Sequence, residues 1–275
     1  MTEPAVISVN ADLFNPGQFF ACCGLLELAD RLWDGAEGWF GSEEFFFRPL
    51  HKTASTGGSL RDLLAAIAVV PLKQINSEDD FASPIEVLGP FGLRLDWWNE
   101  EDAGKRLKVW AGSMRGFRIA TAMQSVMQWE ELQTRNLLNV ARVVYDPRDP
   151  DNKVEPFYFD ARRGSTARPI DIGFSPDALQ MTSVAYPAVE FLCLIGLQRF
   201  RPRAPGTPRV FEYFAWSAPL ATCVAALAAC GVLVQPGDRG FRFENSFRTD
   251  QRKHKGFAAA TPIARRNNER IIERV

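Results

Sequence analysis

The chain has 275 residues, 46% hydrophobic and 12% aromatic, with 21 Phe and 7 Trp. That is ample for one large core or two smaller ones, and it excludes a disordered, tail-like protein. The formal net charge is −1, so nucleic-acid affinity would have to come from local patches. The five cysteines (Cys22, Cys23, Cys193, Cys223 and Cys230) form no C-x-x-C pair and sit in apolar surroundings. They are expected to be buried, reduced thiols of a cytoplasmic protein. The acidic start MTEPAVISV does not resemble a signal peptide. The apolar runs at 189–197 and 218–229 are too short and punctuated to span a bilayer.

In chain order, residues 5–12 are expected as a strand and 16–33 as a helix. Asn15 is a good N-cap, Pro16 suits the first helical position, and Gln18 can close a capping box. Apolar residues widen well beyond one face, which predicts a helix buried on most sides. Residues 44–48 read as a strand, and Ser59 caps a helix that Pro71 ends. Strands at 85–88 and 93–98 flank a Gly-Pro-Phe-Gly turn. A strand at 107–110, a helix at 113–128 reaching toward 139, and a strand at 140–145 follow. DPRDPDNK (146–153) is the best linker candidate. It would separate an N-terminal half, 1–145, from a C-terminal half, 154–275, although one domain is equally compatible. The second half reads as a strand at 154–160, a basic loop at 162–170, helices at 187–200 and 217–231, and strands at 210–216, 232–234 and 241–247. The fold class is therefore α+β, with mixed or antiparallel sheets and packed helices. FFACCGL (19–25) echoes FLCLIGL (191–197), a faint sign of duplication. Two ferredoxin-like (RAMP-like) halves would accommodate it.

No phosphate-binding loop, dinucleotide fingerprint or nucleophile elbow is present. His51 and His254 are far apart and lack cysteine or carboxylate partners at metal-ligand spacing, so no metal, cofactor or catalytic residue is assigned. The acidic runs 78–80 and 100–102 read as solvated turns. Three basic patches stand out. One is Arg162, Arg163 and Arg168, interleaved with Gly, Ser and Thr donors suited to phosphate oxygens. Another is the tail with Arg252, Lys253, Lys255, Arg265 and Arg266. The third holds Lys105, Arg106, Lys108, Arg115 and Arg118 among Trp110 and Phe117, a mixture suited to backbone contact with base stacking. The ordinary alternative for each is solvated surface or a protein interface.

NPGQFFACCGLLELADRLWDGAEGWF, FYFDARRG, DIGFSPD and VEFLCLIGLQRFRP (starting at Asn15, Phe157, Asp171 and Val189) carry a resemblance. The chain resembles the third "Csb" subunit family of type I-U (I-G) CRISPR–Cas systems. The resemblance implies a cytoplasmic, non-catalytic subunit of an RNA-guided, DNA-targeting surveillance (Cascade) complex, a large-subunit equivalent. Its implied partners are guide RNA, target DNA and the other subunits. The three basic patches would contact nucleic acid, and exposed aromatic surface near Trp97, Trp98 and Trp110 would dock a neighbour. The alternatives are a metal-free CRISPR RNA-processing endoribonuclease using His254 and an adaptor without nucleic-acid contact.

Overall fold

Helix α1 (Pro16–Trp33) forms where its local signals place it. The Asn15 side-chain oxygen accepts from the N–H groups of Gly17 and Gln18 at 3.1 and 3.4 Å, satisfying donors that a helix start leaves unpaired. Gln18 does not reach back to Asn15. Its Oε1 accepts from the Asp12 N–H at 2.7 Å, and its amide donates to the Leu138 carbonyl and the Asn139 side chain. The helix ends on Asp34 in the left-handed conformation, φ 54°, one residue before Gly35. Fifteen of its 18 residues are buried, so α1 is a central element with neighbours on every side.

In the computed structural model, residues 5–51, 58–75, 82–101, 103–111, 114–164, 184–248 and 254–264 are described. Their architecture is α+β with antiparallel sheets. Strands β1 (Ile7–Asn10), β2 (Ala36–Phe40) and β3 (Glu44–Pro49) pair in the order β1-β3-β2. Strand β3 thus lies antiparallel between two strands joined through α1, a split β-α-β arrangement. Helix α2 (Leu60–Val69), capped by Ser59, precedes a second antiparallel sheet of β4 (Leu72–Gln74), β5 (Ile85–Val87) and β6 (Leu93–Leu95). Helices α3 (Ala103–Leu107) and α4 (Gly116–Ser125) follow.

The polar stretch expected as a linker is instead an exposed hairpin, β7 (Tyr145–Asp146) and β8 (Asp149–Lys153). After the short α5 (Ala161–Gly164) come α6 (Pro187–Arg199), β9 (Val210–Ala215), β10 (Leu220–Ala221), α7 (Thr222–Ala229), β11 (Arg239–Phe247), β12 (Lys255–Phe257) and β13 (Thr261–Pro262). Strand β10 joins the first sheet beside β2, and β11 pairs with β9, β12 and β13. It does not pair with 232–234, which form no strand. The expected strands at 107–110, 140–145 and 154–160 are likewise absent. Leu107 ends α3, Arg142 makes an isolated bridge to Ala185, and buried residues 157–160 bond to side chains and loops instead of a ladder.

Helices α1 and α6 meet at closest approach through glycine. A Cβ on Gly24 would stand 2.0 Å from the Leu192 carbonyl oxygen, and one on Gly196 would stand 2.0 Å from that of Phe20. The two approaches are reciprocal, and they join the two segments that echo each other in sequence. Glu27, buried in α1, is held by Arg31 at 2.6 Å and by Arg199 of α6. Phe19 packs at a tilt and Phe20 edge-to-face against Tyr213 of β9, extending the same core into the third sheet. Cys22, Cys23 and Cys193 lie in this core, whereas Cys223 is exposed and Cys230 half-buried, which corrects the expectation for those two. Trp97, Trp98 and Trp110 are also core residues. They pack edge-to-face on one another and at a tilt against Phe157 and Phe159, so none offers docking surface. No described helix is long and apolar enough to cross a membrane.

Candidate nucleic-acid interface

Residues 157–160 are held by a buried polar network built from three of the family-like stretches. Glu190 of α6 is fully buried and accepts from the N–H groups of Phe159 and Asp160 at 3.2 and 3.1 Å. Burial pushes its carboxyl up to about 8, against the opposing pull of those backbone N–H bonds. Asp160, also fully buried, accepts from the Asn15 amide at 3.0 Å, and Asn15 in turn accepts from the Ala161 N–H. Arg162 completes the network. It donates to both Asp160 oxygens at 2.9 and 2.6 Å, to the Asn139 side chain at 3.0 Å and to the Leu138 carbonyl at 2.8 Å. Its guanidinium lies 3.4 Å from the centre of the Tyr186 ring. The sequence grouped Arg162 with phosphate contacts. Here its donors are committed internally, so Arg162 positions the loop.

This network presents Tyr158, which takes φ 75°, a conformation that costs a bulky residue on the order of 1–3 kcal/mol and concentrates at functional sites. Arg248 stacks 3.3 Å from the centre of the Tyr158 ring, and the Tyr158 hydroxyl bonds Glu155. Burial raises the Tyr158 hydroxyl to about 12, while Arg248 and Arg163 both pull it back. Arg248 also donates to the Lys255 carbonyl at 3.2 Å, and its N–H bonds the His254 carbonyl at 2.8 Å. The Lys255 ammonium donates to the Arg106 carbonyl at 3.2 Å. Burial, then Lys108 and Arg209, push Lys255 down to about 8. Asn245, fully buried on β11, closes the end of α3 by donating to the carbonyls of Arg106 and Leu107 at 2.8 and 3.0 Å. Arg209 stands at φ 61°, lies 5.0 Å from the Phe247 ring centre, and pairs with Glu244 at 3.2 Å.

Five separated stretches thereby bring Lys108, Arg163, Arg209, Arg248 and Lys255 to one region, with Glu155 and Glu244 as the carboxylates among its described residues. Among the described residues, Arg163 Nε, Arg209 Nε and Asn245 Oδ1 are buried without a hydrogen-bond partner. Two guanidinium donors left unpaired in a cationic setting suit an anionic acceptor. Of the sequence-expected residues, Lys108, Arg163 and Lys255 meet here. Arg115 and Arg118 do not: they line a cleft of about 440 Å³ beside the hairpin, where Arg118 pairs with Asp146 at 2.6 Å. Arg168, Arg252, Lys253, Arg265 and Arg266, with the DIGFSPD stretch, lie outside the described residues.

Sequence reasoning passed over Tyr158 and Arg209; the family-like FYFD stretch was the available signal for Tyr158, and nothing local marked Arg209. Among the described residues, no group of three or more His, Cys, Asp or Glu side chains could hold a metal ion. A larger cleft, about 970 Å³, has a mixed lining that includes Asp12, Glu43, Arg135 and Arg239, and none of the expected site residues. Comparison with protein-family models, with curated proteins and with solved structures gave no match.

Proposed function

We propose that the chain is a non-catalytic subunit of an RNA-guided, DNA-targeting surveillance complex of type I-U (I-G). It contacts the guide RNA or target DNA backbone through the cluster around Tyr158 and Lys255. One observation carries this reading: five cations from five separate stretches converge beside buried guanidinium donors that lack an acceptor among the described residues. Phosphate oxygens are the acceptors such a site fits, and contacts of this kind position a strand without reading its sequence. The resemblance supports the same place, because its described stretches build the Asp160–Glu190 network under Tyr158. The β1-β3-β2 order supports a ferredoxin-like first half. In the second half, the place of β1 beside the inner strand is taken by β12 and β13, which follow in sequence.

The test is binding of labelled single strands, RNA and DNA in parallel, by fluorescence anisotropy across a salt series. Pairing Arg163→Ala with Lys255→Gln should weaken binding and flatten the log–log salt slope by about 0.7 for each phosphate of a single strand that the variant no longer neutralises. An unchanged slope overturns the assignment. Arg162→Ala should act on stability instead, by roughly 3 kcal/mol, because it strands the buried Asp160 charge. His254, half-buried beside the lowered Lys255, gives the endoribonuclease reading its own observation. The same RNA incubated without metal stays intact if the site only binds. Cleavage abolished by His254→Ala would replace this reading.

A further inference from the structure

The third sheet has two unlike faces. Phe211 and Tyr213 of β9 and Phe241 and Phe243 of β11 are buried against the core. Side chains alternate along a strand, so Glu212, Arg242 and Glu244 lie on the opposite, outer face. One row crosses that face. Arg203 exchanges both backbone hydrogen bonds with Glu212, at 2.8 Å each. Glu212 stands opposite Arg242, and Arg242 opposite Thr261. Directly opposed residues share a face, which sets Arg203, Glu212 and Arg242 side by side. Glu212 is only 2% exposed, and both its oxygens are taken. One accepts from Arg203 Nε at 3.0 Å and from Arg203 Nη2; the other accepts from Arg242 Nε at 3.0 Å and Arg242 Nη2 at 2.5 Å. Burial pushes the Glu212 carboxyl up, but the bonds from the two arginines outweigh it and hold the group below its ordinary value. The carboxylate therefore stays charged and keeps both guanidiniums in place. Each guanidinium has five N–H donors and spends two on Glu212, while the two side chains remain 51% and 53% exposed. Arg203 is further steadied by the Phe214 ring, 5.3 Å from its guanidinium.

The row is continuous with the cluster around Tyr158 and Lys255. Arg209 pairs with Glu244, which is two residues along β11 from Arg242 on the same face, roughly 7 Å away. The same Arg209 is one of the two cations that lower Lys255. Donors already fixed by a buried support lose little rotamer freedom on binding, and the planar fork of arginine matches phosphate oxygens. We infer that the outer face of the third sheet is a second contact for the strand held at the Tyr158 cluster, with Arg203 and Arg242 on its phosphates. The inference rests on the nucleic-acid reading and extends it from a cluster to a path. That path runs from Lys255 past Arg209 to the Arg203–Glu212–Arg242 row.

The experiment is fluorescence anisotropy of the full chain with labelled single strands, RNA and DNA in parallel, across a salt series. Arg203→Ala and Arg242→Ala, each made alone, should weaken binding roughly tenfold, the size of one charge-assisted hydrogen bond. Each should also lower the log–log salt slope by about 0.7, for one phosphate of a single strand no longer neutralised. In each single variant Glu212 keeps its other arginine. Arg242→Gln, which retains a donor for Glu212 without the charge, takes the place of Arg242→Ala if thermal melting shows that variant unfolded. Arg94 on the second sheet is the control, being 57% exposed and paired with Asp96 at 2.8 Å. Arg94→Ala should keep the parent's slope. Parent-like slopes in both Arg203→Ala and Arg242→Ala overturn the inference. So does an equal fall in Arg94→Ala, which would mark a loss of net charge and not of a site. The two readings fail differently. A parent that binds no strand overturns the nucleic-acid reading itself. A flattened slope in the Arg163→Ala, Lys255→Gln pair beside parent-like Arg203 and Arg242 variants keeps that reading and removes only the sheet face.

Discussion

Lys255 is a half-buried lysine whose ammonium faces Lys108 and Arg209, with Arg248 and His254 against its own strand. Its folded pKa of about 8, lowered by burial and then by those two cations, sets a pH signature. Below that value the ammonium is charged and attracts phosphate; above it the charge is lost. Strand affinity should therefore fall by roughly a few-fold between about pH 7 and about pH 9, where an ordinary lysine would not titrate. Lys255→Arg should flatten this profile, because arginine stays charged throughout. An identical pH slope in the parent and Lys255→Arg would remove Lys255 from the interface. Folding stability takes the opposite sign. The unfolded lysine holds its proton to about 10.4, so this group adds stability as pH rises from about 8 to that value. Adjacent arginines show the limit of sequence reading at this scale. Arg162 and Arg163 look alike in the loop, yet Arg162 is committed to Asp160, Asn139, Leu138 and Tyr186, while Arg163 Nε has no partner among the described residues. The partners that separate them lie up to 24 positions away in the chain.

Elements with local signals were legible, and those defined by distant pairing were not. Asn15, Pro16 and an apolar run suffice for α1, and Ser59 with Pro71 suffices for α2. Strand β2 went unassigned because it follows Gly35 directly and gains its ladder only from β3 and β10. The hairpin at 146–153 reads as a linker because every residue of β8 is exposed and polar or charged apart from Pro150, so no alternation betrays it. The sequence echo marks something sharper than a shared preference for Phe, Leu and Cys: its two glycines are where α1 and α6 touch. Gly24→Ala or Gly196→Ala would drive a methyl to within 2.0 Å of a carbonyl oxygen of the other helix. Neither backbone can retreat without opening the core, so each variant should be destabilised by about 3 kcal/mol or more in urea denaturation. A midpoint equal to the parent's would show that the helices do not meet there.

At the scale of the molecule, the two halves expected from the sequence are tied by apolar and polar contacts alike. The seam comprises α1 against α6, β10 completing the first sheet, Glu27 to Arg199, and the network joining Asn15, Gln18 and Asn139 to Asp160, Arg162 and Glu190. An isolated 1–145 fragment would expose most of α1 to water. It would also leave Asn15 without Asp160 and Ala161, a combination that a marginally stable fold does not survive. The exposed hairpin provides a way to ask this of the full chain. A protease site placed in the turn between β7 and β8 can be cleaved after folding without cutting any core element. The two pieces should then co-elute in gel filtration and unfold together, with far-UV circular dichroism and tryptophan fluorescence giving one midpoint. The fluorescence probe is apt because Trp33, Trp97, Trp98, Trp110 and Trp216 are buried on both sides of the cut. Pieces that separate under native conditions, or two distinct midpoints, would make the halves independent domains and return 146–153 to the role of linker.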